Sequence, residues 1–268
     1  MEFVDTHCHL NVNSFTEDLN LVFQRAQENR VNQMLVPGTT LETSVEAVQL
    51  SEQHANVYAA VGVHPNDALT WTASTLAGLE ELARSTRVVA IGEIGLDFYR
   101  QYAPAPVQMQ VLAAQLDLAE KLDLPVIIHT RQSLAEIWPI MQTWHDHLVH
   151  THHPLADRPG VFHSYEGDLS TAIEITQRNF FIGISGPVTY KNASLKQQVT
   201  AALPITAILT ETDAPYLPPH PFRGQRNEPA YIPLIAQKIA DLLVLPLEIV
   251  SQNTVANAER LFRWRAIV

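Results

Sequence analysis

Five separated apolar runs of this chain each end in a side chain that can bind a metal ion. A closed parallel barrel brings the ends of its strands together at its C-terminal rim, where the active sites of such barrels lie. An open sheet would keep its first and last strands too far apart to share one site. The pattern therefore favours a barrel. The five stretches are Asp5-Thr6-His7-Cys8-His9, Gly92-Glu93-Ile94-Gly95, Ile128-His129-Thr130, Phe162-His163-Ser164 and Thr210-Glu211-Thr212-Asp213.

Short apolar runs alternate with amphipathic segments along the whole chain, which is typical of βαβ units and a parallel sheet. The length of 268 residues is close to the roughly 250 of a (β/α)8 barrel. We therefore predict an α/β fold, a TIM-type (β/α)8 barrel, with a single domain over residues 1–268. The predicted strands are residues 3–6, 33–36, 58–61, 88–91, 126–128, 161–162, 181–184 and 207–209. The predicted helices are residues 17–29, 42–54, 74–85, 107–122, 134–144, 169–178, 195–203, 233–243 and 247–263.

The composition limits where the protein acts and what it binds. No apolar run approaches the ~18 residues of a membrane span, and the first residues do not resemble a signal peptide. The single cysteine cannot form an internal disulfide, so we expect a cytoplasmic protein without membrane contact. The net charge of −11 argues against nonspecific coating of nucleic acid, but it allows a nucleic-acid substrate held by metal ions and a few arginines. Because no exposed apolar stripe is evident, we expect a monomer.

The first strand carries two histidines on one side. His7 and His9 are two residues apart, so their side chains point the same way, about 6.5–7 Å apart along the strand. Two imidazoles at that spacing can bind one divalent ion. Asp5 has the same parity and is predicted to support an imidazole. Cys8 has the opposite parity and is predicted to pack against the helices.

Later strands supply further candidate ligands. Glu93 lies between two glycines that permit close approach, and its two carboxylate oxygens could bridge two metals. His129 and His163 end strands five and six. Asp213 closes strand eight and is the candidate both to bind a metal and to accept the proton of an attacking water, since a carboxylate beside a divalent cation stays ionised. His64 ends strand three and is either a substrate-facing residue or a packing residue.

Two loops stand out. The loop after the last strand is rich in proline and lies on the predicted active-site rim. Its arginines Arg223 and Arg226, together with Arg131, are candidates for binding phosphates, because a guanidinium suits a phosphate oxygen pair. Residues 145–158 carry five histidines and run from a helix into a strand. We predict that they form a solvated loop on the opposite, N-terminal face.

Seven motifs follow one another along the chain with compatible spacing, and together they resemble the TatD family of metal-dependent deoxyribonucleases, within the amidohydrolase superfamily. In strand six, this chain has Ser164 and Tyr165 where many members have Cys and Phe, a change beside the ligand that could alter substrate fit. The motifs are Thr6-His7-Cys8-His9-Leu10, Val61-Gly62-Val63-His64-Pro65, Gly92-Glu93-Ile94-Gly95-Leu96-Asp97, residues 125–130, Phe162-His163-Ser164, Glu211-Thr212-Asp213-Ala214-Pro215-Tyr216-Leu217 and Arg223-Gly224-Gln225-Arg226-Asn227-Glu228-Pro229.

The resemblance implies a TIM-type barrel with two divalent metal ions. The ligand types suit Mg, Mn or Zn in varying degree, and the sequence does not show which of them is used. His7, His9 and Asp213 would hold one ion, His129 and His163 the other, and Glu93 would bridge. It also implies hydrolysis of DNA phosphodiester bonds, often from the 3′ end, with a metal-activated water and Asp213 as general base.

Two alternatives remain open from the sequence. The same metal site could hydrolyse a small ester, amide or phosphoester, including the ester of a D-aminoacyl-tRNA, because fold and ligands do not fix the substrate. A binding protein that has kept the barrel without catalysis is the other alternative, and the complete set of ligands speaks against it.

Overall fold

The computed structural model describes residues 1–100 and 102–264. Eight strands pair in parallel in the order of the sequence. The strands are β1 (Phe3–Asp5), β2 (Val31–Pro37), β3 (Val57–Val61), β4 (Val88–Asp97), β5 (Val126–Arg131), β6 (Gly160–Phe162), β7 (Phe181–Ile184) and β8 (Ile208–Thr210). The helices of the described chain are α1 (Leu19–Glu28), α2 (Leu41–Gln53), α3 (Ala73–Leu82), α4 (Ala105–Leu122), α5 (Leu134–His150), α6 (Leu169–Gln177), α7 (Ser194–Ala202), α8 (Ile232–Leu243) and α9 (Leu247–Phe262). The TIM-type barrel predicted from the sequence is confirmed.

The first and last strands meet and nearly close the barrel. The backbone N–H of Thr6 donates to the carbonyl of Thr210 at 3.1 Å, and the N–H of Asp213 donates to the carbonyl of His7 at 2.9 Å. Asp5 is fully buried at this junction, where its carboxylate accepts hydrogen bonds from the backbone N–H groups of His7 and Thr212. The prediction that Asp5 supports an imidazole is therefore wrong, because it supports the backbone instead.

The apolar side chains of the strands alternate between two cores, as expected from the period of two in a strand. Met34 and Val36 belong to the larger core, with buried residues of the surrounding helices, whereas Leu35 lies in a second core with Tyr58. The last helix contributes to that second core. Trp264, just after α9, stacks on Tyr58 with ring centroids 5.0 Å apart. These side chains therefore fill the barrel interior at the end next to α9. The opposite, C-terminal rim is left for a site.

Three elements continue three or more residues past their predicted ends. β4 continues to Asp97 and β5 to Arg131, so Glu93 and His129 lie inside strands rather than just beyond them. α5 continues to His150, because Leu148 extends its buried face by one more turn. The prediction that residues 145–158 form a solvated loop is therefore wrong for residues 145–150, which are helical, and His145 is buried.

None of the described helices is both long enough and apolar enough to cross a membrane.

Candidate metal centre

The carboxylate of Glu93 lies at the centre of the rim, and only 3% of the residue is exposed. Its Oε1 lies 2.7 Å from Nδ1 of His129 and 3.0 Å from Nε2 of His163. Its Oε2 lies 3.4 Å from Nε2 of His7 and 3.7 Å from Nε2 of His9. Each carboxylate oxygen therefore faces its own pair of imidazoles.

Each pair forms a compact group of donor atoms. Nε2 of His7 and Nε2 of His9 are 3.2 Å apart, and Asp213 Oδ1 lies 3.9 and 3.5 Å from them. On the other side of Glu93, Nδ1 of His129 and Nε2 of His163 are 3.4 Å apart. The predicted ligands in β4 and β5 and just beyond the ends of β1, β6 and β8 are thus brought together.

The spacing of these atoms fits metal ligands. Donors on a tetrahedral ion with bonds of about 2.1 Å lie about 3.4 Å apart, and the distances above scatter around that value. Neutral imidazoles that face each other through their lone pairs have little reason to approach so closely unless a cation or proton lies between them. Imidazole and carboxylate donors suit zinc or manganese better than magnesium, which prefers oxygen.

Local backbone geometry holds the two histidines that follow β1. Between them, Cys8 is fully buried and faces the helical layer as predicted, with its N–H donating to the carbonyl of Leu35 at 3.0 Å. The N–H of His9 donates to the carbonyl of Ala214 at 2.7 Å. His9 is therefore fixed against the segment that carries Asp213.

A glycine lets β4 and β5 approach each other at the site. Gly95 pairs with His129 in the sheet, has a φ of +147°, and an added Cβ would lie 2.0 Å from the carbonyl oxygen of His129. A side chain at this position would push β5 away from β4. Gly95 thereby keeps His129 within reach of Glu93.

Two acidic residues that sequence reasoning assigned no role lie behind the imidazoles. Asp97 Oδ2 is 3.4 Å from Nε2 of His129, and Glu211 Oε1 is 3.7 Å from Nδ1 of His163. Carboxylates behind a ligating histidine orient its ring and raise its basicity. Both were visible as acids inside the quoted motifs, and Asp97 shares the strand parity of Glu93.

Burial and neighbouring charges set the protonation states of the site. Burial raises the pKa of Glu93, but the surrounding imidazoles more than offset this and hold it well below its ordinary value. Burial lowers the pKa of His7 to about 4, so this imidazole is neutral at pH 7, as a ligand must be. Although burial lowers the pKa of His163, Glu93 raises it to about 10. The centre therefore stabilises positive charge beside Glu93.

His64 forms a further group of possible metal donors with Glu93 and His129, and as a neutral imidazole it can also donate a hydrogen bond. Its Nδ1 accepts a hydrogen bond from the N–H of Asn66 at 3.1 Å, while its Nε2 lies 3.7 Å from Glu93 Oε1. Burial, and then the neighbouring His129, lower the pKa of His64 to about 3. A neutral imidazole whose Nδ1 accepts must carry its proton on Nε2. That N–H belongs to a side chain that lines the cavity beside Glu93.

The centre opens into a cavity of about 660 Å³. The cavity is lined by His64 and Arg131 together with the donor residues His9, Glu93, His129, His163 and Asp213. Among the described lining residues, Arg223 and Arg226 do not appear. The guanidinium of Arg223 lies 4.3 Å from the ring centre of Tyr190, and that of Arg226 pairs with Asp18 at 2.7 Å. The structure thus brings one of the three predicted phosphate-binding arginines to the site.

A buried asparagine fixes the loop that carries Asp213. Asn227 is fully buried, and its Nδ2 donates to the carbonyls of Thr212 at 2.7 Å and Tyr216 at 2.6 Å. Asp213 lies between these two anchors with a φ of +58°, a left-handed conformation that an Asp tolerates. The Asn227 side chain therefore holds both ends of the turn that points Asp213 at His9.

We expect Asn227→Leu to destabilise the fold by about 2–3 kcal/mol, because two buried carbonyls lose their donor. The activity of the folded fraction should also fall, since the turn that carries Asp213 is no longer held. Urea unfolding followed by circular dichroism measures the first effect. Asn253→Leu is the matched control, because Asn253 is only partly buried and its side chain makes one bond, to the carbonyl of Ile249. Equal midpoints for the two variants would contradict this role of Asn227.

The sequence matches the family described as TatD related DNase over residues 4–263. The chain belongs to the TatD family. As a TatD family member it is a metal-dependent hydrolase, and the groups of donors around Glu93 are its candidate metal-binding residues.

TatD family relatives resemble this chain over nearly its full length. YabD of Bacillus subtilis, named an uncharacterized metal-dependent hydrolase, is 38% identical over 259 residues, which is 97% of this chain and 98% of YabD. TatD of Shigella flexneri, named a 3′-5′ ssDNA/RNA exonuclease, is 34% identical to this chain. The alignment covers 96% of this chain and 98% of that TatD. The crystal structure of the TatD homologue YjjV from Escherichia coli superposes with a TM-score of 0.86 at 33% identity, over 98% of both chains.

Proposed function

We propose that this TatD protein is a deoxyribonuclease that removes nucleotides from the 3′ end of a single strand by hydrolysing phosphodiester bonds. The observation that carries the proposal is the position of Glu93, whose two oxygens each face a separate pair of imidazoles. This is the arrangement that two divalent ions on either side of one carboxylate require. The Shigella flexneri relative that is named a 3′-5′ ssDNA/RNA exonuclease supports the choice of substrate.

In this proposal His7, His9 and Asp213 would hold one ion, His129 and His163 would hold the second, and Glu93 would contribute to both. Two divalent ions, whether Mg, Mn or Zn, would lower the pKa of a bound water and offset the charge of the phosphate.

The chain's own residues supply the proton transfers and the orientation. Burial raises the pKa of Asp213, but the hydrogen bond with His9 and the nearby histidines lower it overall, so its carboxylate is ionised and can accept the proton of the attacking water. His64 donates its Nε2–H to an oxygen of the phosphate. Arg131 on the cavity wall pairs with a neighbouring phosphate.

A second candidate is the hydrolysis of a small ester, amide or phosphoester, including the ester of a D-aminoacyl-tRNA. The acidic character of the molecule favours it, because the net charge is −11 and Asp67 and Glu166 line the cavity beside the centre. A long polyanion meets repulsion from such a surface that a small substrate does not.

Metal removal and reloading test the proposal. Protein stripped of metal and reloaded with Mg, Mn or Zn is given single-stranded DNA labelled at the 3′ end or at the 5′ end. We expect metal-restored release of nucleotides from the 3′ end, and no release by the double variant His129→Ala/His163→Ala. Failure to degrade either substrate with any metal, in protein that still binds two ions, would shift the assignment to the small-substrate hydrolase.

A further inference from the structure

Large aromatic side chains stand exposed on the rim around the candidate metal centre. Tyr99, Tyr102 and Tyr216 are 57%, 62% and 54% exposed, and Tyr102 and Tyr216 line the same cavity as the metal donors. Exposed tyrosines at a cavity offer flat apolar faces that are free to stack on a ligand.

Two of these tyrosines each contact an arginine whose charge is not paired with a carboxylate of the described residues. The guanidinium of Arg131 lies 4.1 Å from the ring centre of Tyr99, and Nη1 of Arg100 donates to the hydroxyl of Tyr102 at 3.1 Å. Within the described residues, neither arginine forms an ion pair with a carboxylate, in contrast to Arg226, which binds Asp18. Both arginines line the cavity. In a chain of net charge −11, they are positive charges kept available for an anion.

The segment that contains Tyr99, Arg100 and Tyr102, here called the tyrosine–arginine segment, is hydrogen-bonded to a carboxylate beside the metal donors. The backbone N–H groups of Tyr99 and Arg100 both donate to Asp97 Oδ1 at 2.9 Å. The other oxygen of Asp97 lies 3.4 Å from Nε2 of His129. One carboxylate therefore sets the distance between a candidate metal ligand and the tyrosine–arginine segment.

Tyr216 approaches the centre from the other side. Its N–H donates to the carbonyl of Asp213 at 2.8 Å, and its ring centroid is 5.9 Å from that of His9. It follows β8, whereas Tyr102 follows β4, and these strands are four positions apart in an eight-stranded barrel. The two tyrosines therefore flank the centre from opposite sides of the rim.

We propose that these side chains bind an unpaired nucleic-acid strand across the rim. Tyr216 and Tyr102 stack on bases on either side of the bond that is cleaved, while Arg131 and Arg100 bind the phosphates next to it. The inference rests on the proposed phosphodiesterase function and deepens it. Stacking on aromatic faces together with guanidinium contacts is how single strands are held without sequence preference. A paired base presents no free face, so a duplex is a poor substrate.

The test compares two substrates in the metal-loaded enzyme. One is a ten-nucleotide oligothymidylate, and the other is methyl 4-nitrophenyl phosphate, a diester without bases or neighbouring phosphates. We expect Tyr102→Ala and Arg131→Ala each to lower kcat/KM for the oligonucleotide at least about fivefold more than for the small diester, since one stacked base is worth roughly 5- to 150-fold. Tyr102→Phe keeps the ring and should keep most of the oligonucleotide activity.

Salt dependence gives a readout that a purely structural role would not change. For single strands, the slope of log binding against log salt is about −0.7 per phosphate contacted. Arg131→Ala should therefore flatten the slope of log kcat/KM by about 0.7. Arg84→Ala removes the same charge from an exposed site on the surface, where it pairs with Glu81, and should leave the slope unchanged.

The outcomes separate this inference from the function beneath it. Failure of the wild-type enzyme to cleave either diester with any metal overturns the proposed function and, with it, this inference. Wild-type cleavage of the oligonucleotide, combined with equal losses on both substrates in the Tyr102 and Arg131 variants, overturns this inference alone. Equal rates on the single strand and on a blunt duplex would do the same.

Discussion

Replacement of Glu93 by glutamine is expected to reduce metal content and nearly abolish hydrolysis. The amide has one oxygen where the carboxylate has two, and it carries no charge to hold cations between two pairs of imidazoles. Residues that only support a metal ligand cost roughly 10- to 100-fold in affinity or activity when changed. A group that faces both donor sets directly should exceed that range, with a loss of activity above about 100-fold.

Metal analysis after gel filtration, alongside turnover of single-stranded DNA and circular dichroism, measures this effect. Glu166→Gln is the matched control, because Glu166 lines the same cavity but is half exposed and pairs with Lys196 at 3.2 Å. It should keep its metal and most of its activity. Two bound ions per chain and near-wild-type turnover in Glu93→Gln would show that the carboxylate does not bridge.

Asp213→Asn is expected to lower kcat by about 10²- to 10⁴-fold, the usual contribution of a positioned base. The wild-type carboxylate is ionised well below neutral pH, because His9 and its neighbours depress its pKa despite burial. Its rate should therefore be flat across neutral pH. In the variant, hydroxide from solution must take over the role of the missing base. The residual rate of the variant should therefore rise continuously with pH.

The pH profile and the metal content must be measured together, since Asp213 also faces the ion held by His7 and His9. Asp67→Asn removes a carboxylate from the same cavity at a distance from the donor groups and serves as the control. Full turnover of Asp213→Asn with metal bound would rule out the residue as the base.

The sequence was sufficient to predict the fold and the side chains that meet at the rim, because each of these rests on local chemistry. An apolar run predicts a strand, and the polar side chain that closes the run predicts where the strand ends. The closing side chains are His7, His9, His129, His163 and Asp213. The sequence alone predicts that β4 ends at residue 91, because glycines at 92 and 95 disfavour a strand on their own. Pairing with β5 overrides that tendency, since Gly95 lies opposite His129 and a larger residue would not fit.

Contacts between segments far apart in the sequence could not be predicted from local sequence patterns. Nothing in the sequence near Arg226 shows that Asp18, 208 positions earlier, occupies its guanidinium. Asn227 looks like a loop residue, although its amide holds two carbonyls of the turn around Asp213. Likewise, α5 passes the predicted end at residue 144 because Leu148 is buried against other elements, which compensates for the modest helix propensity of its histidines.

The junction between β1 and β8 has a consequence for the chain as it is synthesised. His7 and His9 leave the ribosome first, but the backbone groups that fix them belong to Asp213 and Ala214, about 200 residues later. Chains are made from the N-terminus at about 5–20 residues per second, so roughly 10–40 seconds separate the two halves of the centre. Until the eighth strand arrives, no nascent chain holds all the donors in place. An enzyme built this way cannot hydrolyse anything before its own synthesis is nearly complete.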